Sequence, residues 1–79
     1  MEVESVFVLA KKLRDEKEEL YDTDTWRSLG LSGCLEAAKR KAFYCVAQMS
    51  NGSDDEKLRE DLLDLINWSA FAYCLVENE

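Results

Sequence analysis

Residues 57–79 read KLREDLLDLINWSAFAYCLVENE. From Leu62 to Val76 only Asp64, Asn67 and Ser69 are clearly polar, with Tyr73 amphipathic. On a helix, Leu62, Leu65, Ile66, Ala70, Tyr73 and Val76 cover one side, and Trp68, Phe71 and Leu75 cover the other. A helix that is apolar all round has to be surrounded. Two further helices of a short chain cannot enclose it, so part of its surface is expected to meet another subunit. Ser53, followed by Glu56 three residues later, forms a capping box. The helix is therefore expected from about residue 54 to residue 76.

Working outward, residues 50–53 (SNGS) read as a turn. Residues 33–49 read as a helix with Ser32 as N-cap. Its expected buried stripe is Leu35, Ala38, Ala42, Cys45 and Met49, in alternating three- and four-residue steps, with Lys39, Arg40 and Gln48 opposite. In YDTDTWRSLGL (21–31), Asp22, Thr23, Asp24 and Thr25 compete with the backbone for hydrogen bonds. That segment is expected to be a loop, with Gly30 closing a short turn that carries Trp26 and Leu29. Residues 3–20 read as a first helix on Val3, Val6, Leu9, Ala10, Leu13 and Leu20. The fold class expected is all-α: a three-helix antiparallel bundle of one domain, residues 1–79, completed by dimerisation.

The 79-residue length allows one domain with a thin core. Apolar residues make up 47% and charged residues 34%, a globular composition. There is no Pro, no His and only three Gly, too few turn formers for an all-β sandwich or barrel. Without His, neither Ser-His-Asp nor Cys-His catalysis can be assembled from this chain alone. Seventeen acids against 10 bases leave a net charge of −7, the wrong sign for a duplex nucleic-acid partner. No apolar run approaches the ~18–20 residues that span a bilayer. Residues 1–10 open with acids and lack a cationic stretch, so no secretion signal is expected. Cys34, Cys45 and Cys74 contain no CxxC pair and read as reduced thiols of a cytoplasmic protein.

The polar exceptions on the last helix are ordered. At ~100° per residue, Asp61, Asp64 and Asn67 spread over ~120° of one face. The same face continues as Trp68, Phe71 and Leu75. A carboxylate there has to be paired, protonated or metal-bound. Asp64 is open to a salt bridge with Lys41 or Arg40, to a hydrogen bond with a neighbouring cap, or to a Mg²⁺ or nucleotide site, since hard cations take clustered carboxylate oxygens. A second acidic run is Asp15-Glu16-Lys17-Glu18-Glu19. Leu13 and Leu20 set the buried seam there, and Glu16 is expected beside it. Lys41 lies within the stripe of Ala38, Ala42 and Cys45, where it either enters an internal polar cluster or snorkels to solvent.

The last helix, with its LLDLINW run, resembles that of the nucleotide modification associated domain 1 family, small helical proteins common in phages. YDTDTWRSLGLSG and the later AKRKAF also resemble that family's mid-region. The whole is similar, too, to the MazG-like and dimeric dUTPase-like all-α NTP pyrophosphatases, which hold Mg²⁺ between an ExxE-type and an ExxD-type motif. That resemblance implies Glu16 and Glu19 as the first element and Asp61 and Asp64 as the second, binding Mg²⁺ against a nucleoside triphosphate. Lys41 or Arg40 would then contact phosphate and Trp26 or Trp68 would stack on a base. The competing expectation is a non-enzymatic viral protein that engages a host factor in the host cytoplasm, its acidity imitating nucleic acid.

Overall fold

The computed structural model describes residues 1–20, 25–52 and 55–78, and the side chains of all of these except residues 19, 20 and 78. Three helices follow one another: α1 (Val3–Leu20), α2 (Thr25–Asn51) and α3 (Asp55–Asn78). The described residues contain no strand. α3 is the central element. α1 and α2 each pack against α3, and among the described residues neither packs against the other. The capping box at Ser53 lies outside the described residues.

α2 begins earlier than the sequence implies. Residues 25–29 are helical, and the chain changes direction at Gly30, whose φ of 71° and ψ of 178° only glycine adopts readily. Gly30 therefore does not end a loop; it breaks a helix in two. The short first piece carries Trp26 back over α3, where its ring stacks on Phe71 with centroids 4.7 Å apart. Trp68 meets the same Phe71 edge-on at 5.6 Å. Cys34 Sγ donates to the Trp26 carbonyl at 3.4 Å, which ties the two pieces of α2 together. At the far end Gly52, with φ of 61°, terminates α2.

The core is small in both senses. The buried apolar residues are Ala10, Cys34, Ala38, Cys45 and Ala72. Beside them, Asp61, Asp64 and Asn67 are also buried. The expected α2 stripe is corrected here: Leu35 and Met49 are exposed. The face that α2 turns to α3 is Cys34, Ala38, Lys41, Cys45 and Gln48, the same spacing shifted around the helix. Gln48, expected outside, points inward to Asp61. On α1, Ala10 is the buried contact, with Val6 and Leu13 half-buried and Val3 and Leu9 exposed.

Large apolar side chains occupy the outside instead. On α3, Leu62, Tyr73 and Val76 are exposed, with Leu58, Leu65 and Ile66 half-buried beside them. These lie opposite Asp61, Asp64 and Asn67 on the helix. On α2 the exposed set is Leu35, Phe43, Val46 and Met49.

Candidate functional site: a charged cluster at the centre of the bundle

α3 presents Asp61, Asp64 and Asn67 inward because residues three apart share a helix face. Each meets a partner from another helix. Asn67 Nδ2 donates to the Ala10 carbonyl of α1 at 2.9 Å. Lys17, also on α1, reaches Asp64 Oδ1 at 2.7 Å. From α2, Lys41 lies between the two carboxylates, 3.1 Å from Asp64 Oδ2 and 3.4 Å from Asp61 Oδ1. Gln48 donates to Asp61 Oδ2. Lys57, one turn before Asp61 on α3, approaches Asp61 Oδ1 at 3.5 Å. Two carboxylates thus meet three ammonium groups, and the cluster is locally cationic inside an acidic chain.

The electrostatics follow from this geometry. Burial alone would raise the Asp61 pKa; the Gln48 hydrogen bond and the charges of Lys41 and Lys57 outweigh it and hold the carboxyl below its ordinary 3.8. Burial would lower Lys41. The hydrogen bond to Asp64 and the charges of Asp64 and Asp61 overcome that and raise it above 10.5. Both groups are therefore ionised across the physiological range. Burial, reinforced by the Asp61 charge, pushes the Cys45 thiol up, and burial does the same to Cys34. Neither thiol has the electropositive, accessible surroundings of a nucleophile.

The residues named as site candidates part company. Asp61, Asp64 and Lys41 come together at the centre. Glu16 is exposed, and the inward position at that end of α1 belongs to its neighbour Lys17. The reason is local: the buried carboxylate of Asp64 favours an ammonium opposite it over a second acid. The side chain of Glu19 lies outside the described residues. Arg40 is exposed on the outer wall of α2, beside Phe43 and Val46. Trp26 stacks on Phe71, and the Arg27 guanidinium lies 4.5 Å from its ring centroid. Sequence reasoning did not single out Lys17, Gln48 and Lys57. The i,i+4 spacing of Lys57 to Asp61 was the available signal for the last of them.

Chemically, such an arrangement holds a polar core in one register: every carboxylate oxygen faces an ammonium or an amide. A cation entering between Asp61 and Asp64 would have to displace Lys41. Among the described residues no group of three or more His, Cys, Asp or Glu is disposed to hold a metal ion. Among the same residues no helix is long and apolar enough to cross a membrane. No family model, no curated protein and no solved structure matches this chain.

Proposed function

We propose that this chain is a non-enzymatic interaction module that engages another protein, a host factor if the protein is viral, through apolar helix faces. One observation carries the reading. The fully buried residues described are alanines, cysteines, Asn67 and the paired Asp61 and Asp64, while Phe43, Val46, Met49, Tyr73 and Val76 face outward. Contiguous exposed apolar surface of this kind marks interaction sites in soluble proteins. The ionic cluster fits the same reading, because it fixes how the helices sit without offering an open acid, base or nucleophile.

A second reading is Mg²⁺-dependent nucleotide handling. What favours it is that Asp61 and Asp64 share one buried face with Lys41 between them. In that reading Lys41 would leave the carboxylates for a phosphate, Arg40 would assist, and Mg²⁺ would take its place. One experiment separates the two. Thermal melts are recorded with millimolar Mg²⁺ and mixed dNTPs, for the wild type and for Asp64→Asn. The interaction reading expects no nucleotide-dependent rise in Tm. It also expects Phe43→Glu to keep its helical circular dichroism while losing a protein partner that the wild type retains by proximity labelling in cells. A rise of several degrees in the wild type that Asp64→Asn abolishes would replace this reading with the nucleotide one.

A further inference from the structure

We propose that the outer face of α3 is a self-association surface, on which a second copy lays its own α3 antiparallel about a two-fold axis. The inference rests on the interaction reading and names one occupant of one face.

The chain exposes 5907 Å². A compact monomer of 9.1 kDa exposes about 4,900 Å². The surplus is on the order of 1,000 Å², slightly more than the ~800 Å² per partner that a standard interface buries. The part of that surface best suited to a second copy is the stripe Leu58, Leu62, Leu65, Ile66, Ser69, Tyr73 and Val76. It runs most of the length of α3 and is continuous with the groove where Phe7 of α1 borders Ile66 and Ala70.

Read antiparallel about a point between Asn67 and Trp68, the stripe complements itself. Leu62 of one copy meets Tyr73 of the other, and Ile66 meets the small Ser69 and Ala70, which permits close approach of the two helices. The Ser69 hydroxyl is already satisfied within its helix, donating to the Leu65 carbonyl at 2.8 Å, so it can be covered without being stranded. Arg59 and Glu77 lie on the same flank of the stripe at opposite ends. In an antiparallel two-fold pair the same flanks meet, which sets Arg59 of each copy beside Glu77 of the other. The outer face of α2 lacks this property. Lys39 and Arg40 sit near its middle beside Glu36, so two identical α2 faces would set four cations against two carboxylates.

Light scattering on the full chain at micromolar concentration is expected to give about twice 9.1 kDa. Tyr73→Glu is expected to return the single-chain mass with helix content kept. Arg59→Glu is expected to weaken association by roughly 2–10-fold, and Arg59→Glu combined with Glu77→Arg to restore it. Arg59 and Glu77 are both exposed, so this pair decides the matter even if Tyr73→Glu fails to fold. A wild type that stays at 9.1 kDa at high micromolar concentration overturns the proposal. So does a double charge swap no better than the single one, or dissociation by Phe43→Glu and not by Tyr73→Glu. A monomeric wild type that still loses its protein partner through Phe43→Glu would overturn self-pairing alone and leave the interaction reading standing.

Discussion

Asp61 is fully buried; Lys41 and Lys57 match its charge and the Gln48 amide donates to its second oxygen. Asp61→Ala removes the acceptor of the Gln48 amide but leaves Lys41 paired with Asp64 and Lys57 exposed, so it should cost about 1–3 kcal/mol of stability by urea titration. Lys11→Ala, which breaks the exposed i,i+4 pair with Asp15 at 2.6 Å, should change it by ~0.5 kcal/mol or less. The same groups set the pH dependence. Asp61 has a folded pKa below its ordinary one, so its contribution is present above pH 3.8 and is lost as pH falls through the lower folded value. Lys41 has a raised folded pKa, so its contribution is complete below 10.5 and is lost as pH rises through the higher value. Tm should therefore be level with respect to these two groups between those limits and fall beyond each. A Tm that climbs below pH 3.8 would contradict the pairing. The partner of Asp64 was not legible, since Lys41, Arg40, a cap and Mg²⁺ all stayed open, but its inward position was legible from spacing, because a three-residue step keeps a helical face whatever the packing. Lys17 was not: Glu16 and Lys17 are neighbours in an acidic run, and only the opposing carboxylate decides which turns inward.

At the scale of the helices, the hinge in α2 makes the sharpest claim. Gly30 occupies a backbone region that residues with a Cβ enter at a cost of ~1–3 kcal/mol, so Gly30→Ala should destabilise by about that much although its Cβ would meet open space. Gly33→Ala tests the opposite case. In an open helix the change would gain up to ~1 kcal/mol. Here the new Cβ would lie 2.8 Å from Leu29 Cβ across the hinge, so the expected outcome by thermal melt is a loss. A gain would mean that the two pieces of α2 are free to move apart. The extents of α1 and α3 could be read to within two residues. The buried face of α2 could not, because its sequence carries two stripes of equal period. Hydrophobicity favours Leu35–Ala38–Ala42–Cys45–Met49, whereas the need of Asp61 and Asp64 for Lys41 and Gln48 selects the other.

Over the whole molecule, small and ionic residues inside and large apolar ones outside imply that stability depends on company. If α3 is paired in solution, Tm should rise with protein concentration, since association is linked to folding by mass action. A Tm unchanged over a hundredfold dilution range would speak for a self-sufficient monomer. The arrangement of helices, with α1 resting on α3 alone and α2 covering α3 far more extensively, has a dynamic consequence. α2 and α3 share the more extensive packing, whereas α1 is held to α3 through Ala10, the Asn67 hydrogen bond and the Lys17–Asp64 pair. The protein should therefore open in two stages. Amides of α1 should exchange with solvent deuterium by a sub-global opening of lower free energy than that protecting the middle of α3. Lys17→Met should speed exchange along α1 while leaving the Cys34–Cys45 stretch of α2 nearly as protected as before. Each such opening would momentarily uncover Asp64 and Asn67, so the most polar part of the interior would also be the part water visits most often.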